Sequence, residues 1–432
     1  NIENLFDDLY PLCRSICGPD FKKSLQILKE YIPFDIIKFP SGSKVLDWVI
    51  PQEWEAKECY VCNPKGKKII DFKECNLHLL NYSDSFEGMI DLKDLSKNIH
   101  VSDTIDTAIP YVTSYYKNRW GVCMSSSQKN TLYDGEYFVK IETKKFDGTL
   151  DLGITELSGS SDLTVMFTTY LCHPSMGNNE LSGPLSMVLL YNMIKKIPNR
   201  FYNYKFLVGP ETIGSLAYLS KYGKELKKNL IAGYVLTCLG GNKKTLKIKK
   251  SRNSLLANNY LIDNVTDVIC KYDSGFKKRP FTPTSGSDER QFCSPGFNLP
   301  FNQISRTTYL EYKEYHTNLD NKEFMNINNI FNSAENIFKI VELLEFTNKK
   351  LVNKYPYGEP FLSSKNLYPD LSKHEKKSKI NAFTEKELFL ILLSYSMNKN
   401  LLEIAKLTKI SPLSFIDPLK KLIDHKLIGI KK

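Results

Sequence analysis

Between residues 163 and 237 the chain alternates short, almost wholly apolar runs with amphipathic stretches, and no other feature restricts its fold as much. Leu163-Thr-Val-Met-Phe-Thr-Thr-Tyr-Leu171, Tyr204-Lys-Phe-Leu-Val208 and Ile231-Ala-Gly-Tyr-Val-Leu-Thr237 read as strands buried on both faces. A strand with one wet face would show a polar residue at every second position. The stretches from Leu185 to Ile194 and from Ser215 to Tyr222 carry apolar residues at helical spacing. Strand, helix, strand, helix in this order predicts an α/β sheet covered by helices on both faces.

The flanking segments have a different character. In residues 1 to about 36, Leu5, Phe6, Leu9 and Tyr10, then Leu25, Ile27, Leu28 and Ile32, predict two helices around a Gly18-Pro19 break. From Phe39 to about Tyr133 short β-type runs such as Lys44-Val-Leu-Asp-Trp-Val-Ile-Pro51 and Glu58-Cys-Tyr-Val-Cys62 are separated by turn residues, which predicts a β-rich module. Beyond a Pro-, Gly- and charge-rich linker, Thr384 opens a helix, Leu401 to Lys406 forms a second, and Ser411-Pro412 opens a third that runs to about His425. With the terminal Leu427-Ile-Gly-Ile430 these give the outline of a winged helix-turn-helix. The expected domains are therefore 1–38 with 136–355 (α/β), 39–135 (inserted β-rich), 356–379 (linker) and 380–432 (winged helix).

Composition matters for what it excludes. With 42% hydrophobic residues in 432, the chain has enough apolar surface for a large core and a smaller satellite. The net charge of +11 comes from interspersed signs, which suits a solvated surface better than a polyanion groove. Ten cysteines are too sparse for a disulfide scaffold, and Cys59-Tyr-Val-Cys62 lacks a second Cys/His pair at zinc-ribbon spacing, so it reads as a strand with alternating faces. No run approaches the roughly 20 apolar residues that span a bilayer, and the first residues lack the basic and apolar regions of a signal peptide. A cytoplasmic protein without a membrane partner is expected.

Only six histidines are present, and two stand where chemistry is done. His173 follows the strand ending Tyr170-Leu-Cys172, at the carboxyl edge where open α/β sheets bind ligands, and heads the polar loop Pro174-Ser-Met-Gly-Asn-Asn-Glu-Leu-Ser-Gly183. His316 lies in the polar loop Glu314-Tyr-His-Thr-Asn-Leu-Asp-Asn321. Glu211, in Gly209-Pro-Glu-Thr-Ile-Gly-Ser215, follows another apolar strand and is a candidate general base. Each histidine alone is more often a structural hydrogen-bonding residue. Three loops offering His, Glu and His together point to a zinc site.

The runs from His173 to Gly183 and Pro210 to Ser215, the segment Gly286-Ser-Asp-Glu-Arg-Gln-Phe-Cys-Ser-Pro-Gly296 and the triplet Tyr315-His-Thr resemble the zinc aminopeptidase fold. They resemble it in the branch of aminopeptidase-like proteins with an inserted β domain and a C-terminal winged helix. The runs Trp48 to Trp54 and Ile109 to Tyr116 are similar to that inserted module, so the resemblance covers nearly the whole chain. It implies a mixed sheet with helices on both faces and a metal site with His173 first, His316 last and Glu211 as base. It also implies carboxylates at three further positions, which here carry Asn179, Thr212 and Thr237. A loss of charge on that scale predicts one weakly held zinc, with Asn179 at a degenerate ligand position. Glu180 and Asp288 are the nearby carboxylates that can compensate. The alternatives are a helix N-terminal charge for the first and a loop-bracing group for the second. Arg290 and Arg306 are candidates for binding a substrate carboxylate or phosphate, against structural ion pairs. Tyr315, spaced with Tyr309 and Tyr312, is a site-lining candidate against simple packing.

The resulting expectation is a one-zinc hydrolase acting on a peptide or small aminoacyl amide. The alternatives are a non-catalytic pseudopeptidase that binds a ligand or partner, and a winged-helix regulator. Residues 380–432 interleave Asp417 and Asp424 with Lys420, Lys421 and Lys426, so nucleic acid is not the expected partner. Packing against the large domain, or self-association through the winged helix or the inserted module, is.

Overall fold

The computed structural model describes residues 1–256, 260–309, 311–368 and 383–431. At its centre is one eight-stranded sheet. Its strands are β1 (Asp35–Pro40), β2 (Thr149–Leu157), β3 (Thr164–Tyr170), β4 (Asn203–Gly209), β5 (Leu230–Leu236), β6 (Leu246–Lys249), β7 (Phe276–Arg279) and β8 (Phe301–Ser305), in the order β1-β2-β4-β3-β5-β8-β6-β7. The central strands β4, β3, β5 and β8 are parallel, while β1 on β2, β2 on β4 and β6 on β8 are antiparallel. Every residue of β3 and β8 is buried, as continuous apolar runs require of strands covered on both faces.

The helices supply the cover. The N-terminal pair is α1 (Ile2–Leu9) and α2 (Pro19–Lys29), α3 (Ser182–Lys195) joins β3 to β4, α4 (Ile213–Asn229) joins β4 to β5, and α5 (Leu261–Tyr272) and the long α6 (Ile327–Thr347) follow. The first turn of α3 rests directly on the sheet, because Gly183 has no side chain. A Cβ there would lie 2.1 Å from Thr169 Oγ1 and 2.5 Å from the Leu236 carbonyl oxygen. The expected mixed α/β class holds.

The inserted module is built on an antiparallel sheet of Lys68–Asp71, Glu53–Cys62, Glu136–Phe146 and Phe86–Asp91, in that order. Its third strand leads at Thr149 straight into β2 of the large sheet. Cys59 is buried and Cys62 half-buried on one strand, and both thiols are free.

At the C-terminal end, α7 (Glu385–Tyr395), α8 (Leu401–Thr408) and α9 (Ile416–Asp424) accompany the strands Met397–Lys399 and Ile428–Lys431, which pair on either side of Lys350–Asn353. Thr384 and Asn400 each close a capping box, with Glu387 and Glu403. The unit sits on α5 and α6, with Ser411 Oγ donating to Asp273 Oδ2 at 3.0 Å and Lys420 paired with Glu342. Residues 369–379 of the expected linker lie outside the described residues. No helix among the described residues is long and apolar enough to cross a membrane.

Candidate functional site

β3, β4 and β5 are parallel, so the loops that leave their carboxyl ends emerge on one edge, and His173, Glu211 and Thr237 come together there. The loop carrying His316 joins them, bringing the two imidazole centroids to 5.2 Å. His173 Nε2 stands 3.8 Å from Glu211 Oε2, and the opposite carboxylate oxygen of Glu211 accepts a 2.6 Å bond from Ser287 Oγ. On its other side, His173 Nδ1 meets Glu180 Oε2 at 2.5 Å, while Glu180 Oε1 accepts the backbone N–H of His173 at 2.8 Å. His316 Nε2 is shut off from solvent and has no hydrogen-bond partner, as is the Asn179 Nδ2 amide. His173 and Glu211 line a cavity of about 190 Å³ whose other walls include Ile16, Trp48, Tyr115, Tyr116 and Ile213.

Backbone conformation singles out the same loops. Ser175, Thr212, Cys238 and His316 all have φ between +44° and +62°, and none is glycine. Each such residue costs on the order of 1–3 kcal/mol and persists only where its surroundings impose it. Asp288 imposes one, since its Oδ1 accepts the Thr212 N–H at 2.7 Å. Asp320 holds the His173 loop, accepting the backbone N–H groups of Asn178 at 2.6 Å and Asn179 at 2.9 Å as well as the Tyr312 hydroxyl at 3.0 Å.

Burial dominates the electrostatics. It pushes the Glu211 carboxyl above its ordinary value, against the pull of His173 and the bond from Ser287. It raises Asp288 to about 8, helped by Glu211, and Asp320 to about 6, against the donors that Asp320 accepts. Burial also disfavours a charged His173, but Glu180 and then Cys172 outweigh it and hold the imidazole well above its usual range. His316 is driven well below that range, by burial and then by His173.

These donors suit one divalent ion. Neutral imidazole is a preferred zinc ligand: the buried His316 Nε2 has no partner and its ring centroid lies 5.2 Å from that of His173, where an ion would have to displace the Nε2 proton that the raised titration of His173 implies. A second ion needs more negative charge. Thr237 Oγ1 is instead bonded to the Tyr170 hydroxyl at 2.5 Å, and Asn179 Oδ1 reaches only that same hydroxyl, at 3.4 Å. A second cluster, Cys172 with His173 and Glu180, has its ligand atoms within 4.8 Å of one another, on the Nδ1 side of the same imidazole.

Of the residues read from sequence, His173, His316, Glu211, Glu180, Asp288 and Tyr315 are brought together. Tyr315 stacks on the His316 ring at 3.8 Å. Arg290 and Arg306 do not line the cavity. Arg290 Nε bonds back to the Ser287 carbonyl at 3.4 Å, and Arg306 is 3% exposed, with donors spent on Ser333, Asn332 and the Lys243 and Lys244 carbonyls. The Arg306 guanidinium is thus committed to the protein itself. Sequence reading missed three contributors. Tyr111 packs against both imidazoles, at 5.0 and 5.3 Å, and its N–H binds the His316 carbonyl at 2.7 Å. Ser287 holds the base, and Arg14, fully buried, donates from Nε to the His173 carbonyl at 3.1 Å. The usable signal for Arg14 was an arginine in the mostly apolar stretch from Leu12 to Cys17, between the first two helices.

Comparison with known proteins agrees with this architecture. Residues 3–347 match the family described as Domain of unknown function (DUF4910). The chain is 37% identical over 367 residues, 85% of its own length and 82% of the relative's, to the Clostridium acetobutylicum "Putative polysaccharide biosynthesis protein with aminopeptidase-like domain". A crystal structure from the same organism, described as a "putative peptidase", superposes with a TM-score of 0.85 at 32% identity, covering 100% of this chain and 96% of that one. The zinc aminopeptidase BSAP of Bacillus subtilis superposes with a TM-score of 0.54 at 12% identity, covering 79% of this chain and 94% of that one, which is a likeness of fold alone.

Proposed function

The chain belongs to the DUF4910 family and has the fold of the zinc aminopeptidases, and from that we propose that it is a one-zinc hydrolase of the amide bond in a short peptide or small aminoacyl compound. One observation carries the reading: the buried His316 Nε2, without a partner, lies beside His173, whose own Nε2 is 3.8 Å from the Glu211 carboxylate. Leaving an imidazole nitrogen buried and unpaired costs about 1–3 kcal/mol, so such a group calls for a ligand. His173 and His316 would hold the ion, which supplies Lewis-acid polarisation of an amide carbonyl and of water. Glu211 acts as general base. Ser287 occupies its Oε1, so the proton from water goes to Oε2, the oxygen that faces His173. The walls from Trp48, Tyr115 and Tyr116 restrict the cavity to one small residue or acyl group. The Clostridium relative's description joins an aminopeptidase-like domain to polysaccharide biosynthesis, which adds amides carried on sugars to the substrates to be assayed.

A second reading, a pseudopeptidase that binds a ligand without turning it over, draws on the neutral residues Asn179, Thr212 and Thr237. Calorimetric zinc titration of the full chain separates the two. The hydrolase reading expects one ion per chain, lost in His173→Ala and in His316→Ala, and turnover of amino-acid amides by the loaded protein. Metal-free protein that still binds amides favours the pseudopeptidase. The regulator reading has less support, since Lys420 and Lys421 are paired with Glu342 and Glu385.

A further inference from the structure

The two nitrogens of His173 face different surroundings. Nε2 looks toward Glu211 and the cavity, whereas Nδ1 looks into the protein, where Glu180 and Cys172 wait. Resting on the hydrolase reading above, we propose that Glu180 is the positioning residue of His173. Glu180 grips His173 twice, through the backbone N–H and through Nδ1, which fixes both where the residue starts and how its ring turns. A carboxylate that accepts the Nδ1 proton leaves Nε2 as the nitrogen for a metal, which would take the place of the Nε2 proton, and it ties the imidazole down so that little order remains to be gained on binding.

The same imidazole and carboxylate, with Cys172, can be read as a metal site of their own, and the distances decide against it. Two atoms ligating a tetrahedral zinc at about 2.0–2.1 Å lie roughly 3.3 Å apart. Nδ1 and Glu180 Oε2 are 2.5 Å apart, a hydrogen-bond distance. Cys172 Sγ already accepts the Glu211 N–H at 3.3 Å.

Glu180 is 1% exposed, and a buried carboxylate needs a partner, which the His173 imidazole supplies. Arg14, 0% exposed, holds the same histidine by its main chain, donating from Nε to the His173 carbonyl at 3.1 Å. Through this arginine the stretch between α1 and α2 reaches the site.

Two measurements on the full chain test the proposal. In zinc titration, Glu180→Gln should weaken binding about 10- to 100-fold, with its melting temperature close to that of the parent. Gln keeps the size and an acceptor but not the charge, so a purely structural Glu180 predicts no change in affinity. In proton NMR of the metal-free protein, the His173 ring N–H bound to Glu180 should give a far-downfield, exchange-protected resonance that disappears in Glu180→Gln. Unchanged zinc affinity in Glu180→Gln, or a ring resonance that is absent in the parent or persists in the variant, overturns the proposal. If the parent takes up no zinc, the hydrolase reading falls, and the resonance alone decides whether Glu180 positions His173.

Discussion

Residues with positive φ occur both at the strand-end loops and in the C-terminal unit, and they do different work. In the C-terminal unit Lys409 ends α8 in the left-handed conformation and Lys426 follows α9, and both are solvent-exposed. There the unusual backbone stops a helix at the surface. At the strand-end loops Ser175, Thr212, Cys238 and His316 adopt it among buried polar groups, with Asp288 and Asp320 spending hydrogen bonds to hold the loops in place. The first region follows local rules. The second departs from them wherever a side chain has to be aimed.

If the comparison is sound, the largest effects belong to the strand-end loops. Glu211→Gln should lower turnover of the zinc-loaded protein by about 10²- to 10⁴-fold with fold and metal content intact, as measured by steady-state kinetics beside metal analysis. Loss of the metal in this variant would make Glu211 a ligand. Asn179→Asp should tighten zinc binding by about tenfold or more in calorimetry, because a carboxylate replaces an amide. An unchanged constant would place Asn179 outside the ligand set.

Stability offers a finer test. Asp320→Asn removes an anionic acceptor from three donors and should cost about 1–3 kcal/mol in urea unfolding. The pH dependence has a definite sign. Asp288 and Asp320 have folded-state values of about 8 and about 6, above the 3.8 of a free aspartate, so folding favours their protonated forms. Their contribution is therefore complete below pH 3.8 and is lost as pH rises through about 6 for Asp320 and about 8 for Asp288. The Asp320→Asn curve should be flatter over the lower part of that range.

The C-terminal unit should give the small numbers. Asn400→Ala deletes one half of a capping box and should cost about 1 kcal/mol, seen as a modest drop in melting temperature. Lys420→Ala breaks a half-exposed pair with Glu342 and should cost about 0.2–1 kcal/mol, less at high salt. A Lys420→Ala effect larger than that of Asp320→Asn would erase the contrast between the two regions.

What could be read in advance follows the same division. The strands β3, β4 and β5, the helices α3 and α4, the caps at Thr384 and the apolar phases of α8 and α9 were legible because each rests on residues near one another in the chain. His173, Glu211 and His316 were legible because a polar residue directly after a buried strand, or in a loop rich in polar groups, is unusual enough to notice. Arg306 misled because an arginine in a polar loop looks the same whether it awaits a substrate or, as here, caps carbonyls and a helix side chain. Tyr111 and Ser287 carried no local mark.

The sequence by itself determined the α/β class, the run of strand-end loops that carry His173 and Glu211, and the neutral residues at 179, 212 and 237, since hydrophobic periodicity and residue chemistry are properties of short segments. Only the tertiary structure decided that Glu180 turns inward to His173 Nδ1, that Arg14 bonds the His173 carbonyl from 159 residues away, and that Tyr111 of the inserted module closes over both histidines. Contacts such as these depend on distance and burial between segments far apart in the chain. No pattern within either segment encodes them.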